Sequence, residues 1–197
     1  PEFISGSHII TLVIFYEMLN QVQHDKFCPM NTKPTFAEEI ILYNQGYRFI
    51  AGIDEVGRGA FAGPVVAAAV VLPFEFAYAS ELNDSKLLTK KKREQLSALI
   101  KLYAVSYAIA EVSLIEINRY GIGIAAKKAF SQAIGKLNRI PDYLLIDAFR
   151  LDNSHCMKQK AIIHGDRLSV SIAAASIIAK VYRDKLMDEL HLSYPEY

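Results

Sequence analysis

Apolar residues along this chain fall into five short runs that predict β-strands. The first two runs, residues 47–56 and 63–72, are joined by a glycine-rich turn. The other three strand candidates are residues 103–112, 143–149 and 159–165. Short apolar runs bounded by turn residues are typical of buried strands.

Apolar residues at helical spacing lie between and after these strands. Residues 36–45 predict a short helix, and the segment KKKREQLSALIKLY predicts a second one. Ser113 and Glu116 form a capping box, which predicts the start of a helical region that runs to about Leu137. From about Ser169 the chain is helical again, with one apolar stripe formed by Ile172, Ala175, Ala179, Tyr182 and Leu186.

The order of these elements predicts the fold class. Strands come first and then alternate with helices, which indicates an α/β domain with a mixed central β-sheet, flanking helices and a helical C-terminal part. A chain of 197 residues, of which 52% are hydrophobic, suits one domain with a sizeable core.

The composition of the chain says more about the cellular environment of the protein than about its activity. The formal net charge of +1 neither requires nor excludes a nucleic-acid partner, because local charged patches matter more than the total. Cys28 and Cys156 fit a reducing cytosol and lie in no metal-binding pattern. No apolar run approaches the ~20 residues of a membrane span. We expect a cytoplasmic protein without a membrane segment, and a monomer.

The first 29 residues do not lead clearly into the rest of the sequence. Met30 opens a segment that looks like a natural start, so we expect residues 1–29 to be a vector-derived or otherwise non-native leader. Residues 30–197 would then form the folded domain. A native helical extension is the alternative for the leader.

Four carboxylates follow predicted strands, and they are the first candidates for chemistry. Asp54 and Glu55 stand side by side, Asp147 follows the run LLI, and Asp166 follows AIIHG. In open α/β sheets, functional groups collect at the carboxyl ends of the strands. Acids that met there would repel one another unless cations neutralised them, and hard cations such as Mg²⁺ prefer oxygen ligands.

This pattern predicts metal-dependent phosphoryl chemistry. Two such ions about 4 Å apart can activate a water and stabilise the leaving oxygen of a phosphodiester. The alternative for each acid taken alone is a turn former or a helix cap. Neighbours in a regular strand point to opposite faces, so Asp54 and Glu55 can share a site only where the strand twists, bulges or ends.

Glycines and basic residues surround the acids in the sequence. Gly57 and Gly59 flank Arg58, and they free the backbone to approach a ligand closely. Ser176, Lys180 and Arg183 share one polar helical face, which either grips phosphates or is simply solvated, with Lys180 paired to Asp184. A second basic patch comprises Lys86 and residues 90–93, for which a solvated helix start is the alternative.

Four sequence motifs follow one another along the chain: GIDEVGRGAFAGPVVAAAVV, DSKLLTKKKREQL, LLIDAF and GDRLSVSIAAASIIAKVYRD. In these motifs the chain resembles bacterial ribonuclease HII, from about Ile40 to the C-terminus. The resemblance implies a ribonuclease H-like fold. It also implies an endonuclease that uses Mg²⁺ or Mn²⁺ to cleave the RNA strand of RNA–DNA hybrids and to nick duplex DNA 5′ to a single embedded ribonucleotide.

The resemblance also implies roles for individual residues. The acidic tetrad of the family falls on Asp54, Glu55, Asp147 and Asp166. Its Gly-Arg-Gly motif, which contacts the 2′-hydroxyl that distinguishes RNA from DNA, falls on residues 57–59. Further substrate contacts are expected from Lys86, Ser176 and Lys180.

The sequence departs from the family pattern in three places. His164 stands where a lysine is expected, and Ala148 replaces a more usual glycine after the aspartate. The family's C-terminal segment, with a tyrosine next to the substrate junction, is expected beyond Tyr197. We therefore expect a C-terminally truncated catalytic domain.

Two alternative functions remain open from the sequence. A ribonuclease HIII typically has Gly-Lys-Gly and a longer N-terminal domain, and Arg58 argues against it. The second alternative is a truncated chain that binds hybrids without cleaving them. The intact tetrad argues against it, and the early C-terminus argues for it.

Overall fold

Five strands form one mixed sheet in the computed structural model, which describes residues 33–151 and 157–195. The spatial order is β3-β2-β1-β4-β5, with β1–β2 and β2–β3 antiparallel and β1–β4 and β4–β5 parallel. The strands are β1 (Ile50–Val56), β2 (Val65–Val71), β3 (Ser106–Val112), β4 (Tyr143–Asp147) and β5 (Gln159–Ile162). The predicted leader and both cysteines lie outside the described residues.

Helices cover both faces of this sheet. They are α1 (Ala37–Asn44), α2 (Lys90–Tyr103), α3 (Leu114–Tyr120), α4 (Ile122–Gly135) and α5 (Val170–Ser193). Two short 3₁₀ helices, Ala79–Glu81 and Gly165–Arg167, complete the described elements. The α/β class and the mixed sheet predicted from the sequence are confirmed.

Several element bounds differ from the prediction for identifiable reasons. The strand predicted at 103–112 starts at Ser106, because α2 continues through Tyr103. The strand predicted at 159–165 ends at Ile162, because His164 adopts a left-handed φ of 56° and a 3₁₀ turn follows. The helical region after Ser113 is two helices, broken at Gly121, whose φ is 83°.

The two faces of β1 pack into two different cores. Ala51 and Ile53 face a cluster that includes Phe130 of α4. On the other face of the sheet, Val66 and Val70 of the neighbouring strand β2 pack against α5. The alternation follows from the period of two along a strand, and it assigns each side chain of β1 to one helix layer.

Helix α5 is the longest element, with 24 residues, and its first half is buried against the sheet. The backbones of β1 and α5 are in close contact at Gly52, where a Cβ would lie 2.1 Å from the carbonyl carbon of Ser171. No side chain fits between these backbones. The missing side chain therefore sets the distance between β1 and α5.

The segment before β1 holds the start of α5. Glu39 in α1 is buried, and its Oε1 accepts hydrogen bonds from Ser169 Oγ at 2.6 Å and from Ser171 N at 2.9 Å. Burial raises the pKa of the Glu39 carboxyl, and these hydrogen bonds act in the opposite direction. Thr35 adds a backbone bridge to Ser169. The N-terminus of α5 is thereby tied to α1 and its flanking residues.

Within the described residues, no helix is long and apolar enough to cross a membrane.

Replacing Gly52 by alanine should strongly destabilise the fold. The added Cβ would lie 2.1–2.4 Å from three backbone atoms of α5, so the helix has to move away from β1. We expect the free energy of unfolding to fall by about 3 kcal/mol, as for overpacked cores, measured by urea denaturation. Gly123→Ala is the matched control, because its Cβ would meet no described atom within 4 Å and alanine favours helix by up to about 1 kcal/mol. Equal stability of the two variants would contradict the packing described for α5.

Candidate active site

Three of the predicted acids meet at one edge of the sheet. The parallel ladder of β1 and β4 pairs Ile53 with Ile146, so the next residues, Asp54 and Asp147, lie side by side at the carboxyl ends of the strands. Asp166 lies in the 3₁₀ turn between β5 and α5. The turn is tied to the same edge, because Gly165 N donates a hydrogen bond of 2.7 Å to Asp147 Oδ1.

Glu55 reaches this edge from the opposite face of β1. The antiparallel ladder with β2 continues without a bulge from Gly52 to Val56, so Asp54 and Glu55 point to opposite faces. The ladder with β4, in contrast, ends at Ile53. The carboxyl end of β1 therefore projects beyond β4, and both acids border the same strand end.

The four acids, called here the acidic cluster, perturb one another electrostatically. Burial raises the pKa of Asp54 well above its usual range, and repulsion from Asp147, Glu55 and Asp166 adds to this shift. Burial, and then repulsion from Asp147, raises the pKa of Glu55 to about 7. Burial raises the pKa of Asp147 and of Asp166, and Asp147 also repels Asp166.

The chemistry of the acidic cluster fits a hard divalent cation. Carboxylate oxygens are the ligands such ions prefer, and Glu55 Oε2 is buried without a hydrogen-bond partner among the described residues. In residues 33–151 and 157–195, no three Asp, Glu, His or Cys side chains are already arranged as a metal site. The acids are thus neighbours whose mutual repulsion a bound cation would offset.

Ser176 lies beside Asp54 in the interior of the protein. Its hydroxyl hydrogen-bonds the Asp54 carboxylate and lies 3.1 Å from Ser85 Oγ. The polar face predicted for this helix is therefore not solvated at Ser176, which is buried. The arrangement suits a residue that holds Asp54 in place.

Lys86 brings positive charge to the acidic cluster. Its ammonium acts to lower the pKa of Glu55, Asp147 and Asp166. The side chain is exposed, on a loop fixed by the buried Asp84, whose Oδ1 accepts from Lys86 N at 2.9 Å. Lys86 therefore lies near the acidic cluster, and its contact with a substrate stays a prediction.

Asp84 is a residue of the site region that the sequence analysis missed. Its Oδ2 accepts from Arg167 Nε at 3.1 Å and from Arg167 Nη2 at 2.9 Å. Arg167 directly follows Asp166, so this pair joins the Lys86 loop to the turn that carries an acid. The only sequence signal is that Asp84 shares the motif DSK with Lys86.

Lys180 and the basic run at 90–93 are engaged in ion pairs. Lys180 Nζ lies 2.6 Å from Asp184 Oδ1, the pairing that was the alternative to phosphate binding, and Arg93 lies 3.3 Å from Oδ2 of the same carboxylate. Lys90 pairs with Asp188 of α5 and Lys92 with Glu81. Much of the second basic patch therefore forms ion pairs that join α2 to its neighbours.

Residues 57–64, called here the glycine loop, follow the acids on β1. Gly57 has a φ of 104°, which favours glycine, and a Cβ there would lie 2.6 Å from both Arg183 Nε and Pro64 O. At Gly59 a Cβ would meet no described atom within 4 Å. Gly57 is thus required by the packing of the loop, whereas Gly59 leaves its surface open for a ligand.

Arg58 projects from the glycine loop between two partners. Its guanidinium lies 3.9 Å from Glu55 Oε1 and 5.1 Å from the centre of the Phe149 ring. Phe149 in turn packs against Phe130 in the core below α4. The sequence analysis did not identify Phe149, because an aromatic residue two positions after an acid carries no distinctive signal.

Arg183 differs from its prediction. It was expected on the polar face with Ser176 and Lys180, but it is buried. Its Nε donates to Pro64 O at 3.0 Å and its Nη2 to Ala62 O at 2.8 Å. The guanidinium therefore binds the backbone of the glycine loop.

The two unusual residues of the sequence both adopt left-handed backbone conformations. Ala148 has a φ of 62° and His164 a φ of 56°. A left-handed conformation costs roughly 1–2 kcal/mol for a residue with a Cβ, which explains why glycine suits position 148. Ala148 N bonds to Ile162 O at 3.0 Å, so the chain turns sharply just after Asp147.

Comparisons with known proteins show which family this chain resembles. The family model described as ribonuclease HII matches residues 51–197. A ribonuclease HII from Geobacillus sp. (strain WCH70) is 53% identical over 156 residues, which cover 79% of this chain and 55% of that protein. The chain thus spans about half the length of this curated relative.

Solved structures share the architecture. The ribonuclease H2 of Pyrococcus horikoshii OT3 superposes with a TM-score of 0.66 and 26% identity, covering 75% of this chain and 77% of that chain. A Bst ribonuclease HIII, solved in complex with Mn²⁺, shares the fold with a TM-score of 0.62 and 20% identity over 88% of this chain and 65% of that one. The ribonuclease H-like fold expected from the motifs is confirmed.

The family model covers well over half of the chain and includes the acidic cluster, the glycine loop and α5. The chain therefore belongs to the ribonuclease HII family.

Proposed function

We propose that residues 30–197 form a metal-dependent endonuclease domain. It hydrolyses the RNA strand of RNA–DNA hybrids and nicks duplex DNA 5′ to single embedded ribonucleotides. The observation that carries this proposal is the meeting of Asp54, Asp147 and Asp166 at one sheet edge, where Glu55 joins them from the other face. Family membership supplies the reaction class. A cytoplasmic monomer that acts on nucleic acid is part of the same proposal.

The acidic cluster would hold the metal ions. Bound Mg²⁺ or Mn²⁺ would supply an activated water and stabilise charge on the leaving oxygen of the phosphodiester. Ser176 holds the Asp54 carboxylate, and Gly165 N fixes one oxygen of Asp147. Asp54 Oδ1 also accepts from Glu55 N at 2.7 Å, whereas Glu55 Oε2 has no partner among the described residues and would be available to a cation.

The substrate would lie across the glycine loop and the Lys86 loop. Backbone groups near Gly59 are accessible to a ribose, and a 2′-hydroxyl both donates and accepts hydrogen bonds. Lys86 and Arg58, which both act to lower the pKa of Glu55, would contact phosphates of the substrate. From α5, Ser176, which also lies beside Asp54, and Lys180, which pairs with Asp184, would contact the substrate.

The two alternative functions are distinguished by different observations. Ribonuclease HIII shares the fold, but the family model that matches this chain is ribonuclease HII. A cleavage assay would distinguish this function from a chain that binds hybrids without cleaving them. We expect Mg²⁺-dependent nicking of a duplex with one ribonucleotide, and no cleavage when EDTA replaces the metal.

Divalent cations should stabilise this protein more at high pH than at low pH. The folded-state pKa values of the four acids are raised above their ordinary values. The acids therefore contribute to the free energy of unfolding at pH values below their ordinary pKa values. This contribution is lost as the pH rises through the folded-state pKa values, which for Glu55 is about 7. At pH 8 a cation offsets the repulsion between the ionised acids. At a concentration of ten times its Kd, it should raise the free energy of unfolding by about 1.4 kcal/mol, or the Tm by roughly 3–5 °C. The effect of Mg²⁺ on Tm should be much smaller at pH 5.

The control for this experiment is an acid outside the cluster. Glu55→Gln should reduce the effect of Mg²⁺ on Tm at pH 8. Glu111→Gln should leave it unchanged, because Glu111 is exposed on β3 and contacts Tyr182. A Mg²⁺ effect that is independent of pH and of Glu55 would argue against a metal site at these acids.

Asp54→Asn should abolish cleavage while leaving hybrid binding largely intact. Asn keeps the shape that accepts from Glu55 N at 2.7 Å, but it removes the charge that would hold a cation. We expect kcat to fall by roughly 10³-fold, equivalent to about 4 kcal/mol. Because phosphate contacts supply most of the affinity, the Kd measured by fluorescence anisotropy should change little. Full Mg²⁺-dependent activity of the variant would rule out Asp54 as a ligand.

Arg58→Ala should impair cleavage at a single embedded ribonucleotide more than cleavage of a long hybrid. A long hybrid offers many riboses to a poorly placed loop, whereas an embedded ribonucleotide offers one. We expect the ratio of kcat/KM values for the two substrates to shift by roughly 10-fold, about 1.4 kcal/mol, at one fixed salt concentration. Arg119→Ala, on the exposed arginine of α3, is the control. Equal losses on both substrates would make Arg58 a general binding residue.

A further inference from the structure

The glycine loop has little support from its own side chains. Arg58 is half exposed, Phe61 is fully exposed, and a Cβ at Gly59 would meet no described atom. Its internal support is a turn in which Ala60 N donates to Gly57 O at 3.1 Å. The conformation of the loop must therefore depend on what binds its backbone.

Arg183 occupies the concave side of this loop. Its guanidinium donates to the carbonyls of Ala62 and Pro64, and it occupies the space that a side chain at Gly57 would need, whereas Met187 of the same helix lies nearest to Gly63. A Cβ at Gly57 would lie 2.6 Å from Nε, and one at Gly63 would lie 2.3 Å from Met187 Sδ and 3.2 Å from Arg183 Nη2. Both glycines have positive φ values, 104° and 84°, so loop and guanidinium are complementary in shape as well as in hydrogen bonding.

Helix α5 places this guanidinium at a fixed distance from the acidic cluster. Arg183 follows Ser176, the residue that holds Asp54, by seven positions, or about 10.5 Å along the helix axis. The same helix starts four residues after Asp166 and packs on β1 at Gly52. One rigid element therefore connects both ends of the proposed site.

We propose that Arg183 is a positioning residue that fixes the glycine loop relative to the acidic cluster, and that it thereby sets the selectivity for a single embedded ribonucleotide. The inference rests on the proposed function and goes beyond it, because Arg183 contacts the loop backbone rather than the substrate. A displacement of about 1 Å in a positioning element can cost roughly 10²-fold in rate. The effect should fall on the substrate with one ribose, for which only one register is productive.

The first test compares Arg183→Lys and Arg183→Ala with the unchanged protein. Lysine keeps a charge and most of the stem but cannot donate from two fixed positions to two carbonyls. We expect kcat on the single-ribonucleotide duplex to fall by roughly 10-fold or more relative to kcat on a long hybrid, with KM for the hybrid little changed. Arg48→Ala is the matched control, because Arg48 also donates to two carbonyls, of Tyr43 and Tyr47, but at the amino end of β1. It should leave the ratio unchanged.

Chemical rescue provides a readout that a loss of stability would not give. Guanidinium at roughly 50 mM, well below the molar range that denatures proteins, should enter the space vacated in Arg183→Ala and partly restore the single-ribonucleotide rate. NaCl at the same ionic strength should not. Rescue of that rate without an increase in Tm would support the positioning role.

Three outcomes separate this inference from the proposed function. If the unchanged protein cleaves neither substrate with Mg²⁺, the proposed function is wrong, and the inference about Arg183 is wrong as well. If it cleaves both, but Arg183→Lys remains folded by circular dichroism and loses both activities equally, Arg183 is only a structural residue. Absence of rescue by guanidinium in a folded, selectively impaired Arg183→Ala variant would likewise overturn the positioning role.

Discussion

The close contact between helix α5 and the backbone of β1 at Gly52 is the constraint on which the rest of the structure depends. It brings the helix close enough for Ser176 to bond Asp54, and it places Arg183 under the glycine loop. The start of α5 is fixed separately, through Glu39 and the bridge from Thr35 to Ser169. A helix that is anchored at its start and packed along its first half is rigid enough to position groups at distant points on its length.

The acidic cluster is held together at a cost to stability. Burial and repulsion from neighbouring acids raise the pKa values of Asp54, Glu55 and Asp166, and burial raises that of Asp147. Lys86 and Arg58 offset part of this repulsion from exposed positions. The packing of the sheet and of α5 offsets this cost, as expected for a site that would bind a cation.

The sequence predicted the sheet and the placement of the acids because both follow from local patterns. Alternation and strand ends are visible in residues 47–56 and 143–149, and the edge shared by Asp54 and Asp147 follows from parallel pairing. The burial of Arg183 could not be predicted, because a polar position on a helix has the same spacing whether it faces water or a loop of carbonyls. The left-handed φ of Ala148 was equally hidden, because alanine gives no turn signal.

The acidic cluster is supported by both cores of the protein at once. Asp54 lies on the face of β1 that packs on α5, whereas Glu55 lies on the face above α4, where Arg58 and Phe149 extend the packing. The relative position of the two acids therefore depends on the strand between them and on neither helix layer alone. Because β1 is paired with β2 through Val56 but with β4 only through Ile53, the strand end is held firmly on one side and open on the other. The open side is where Asp147 lies and where a cation and a phosphodiester would approach, so the same asymmetry of pairing fixes the acids and leaves access to them.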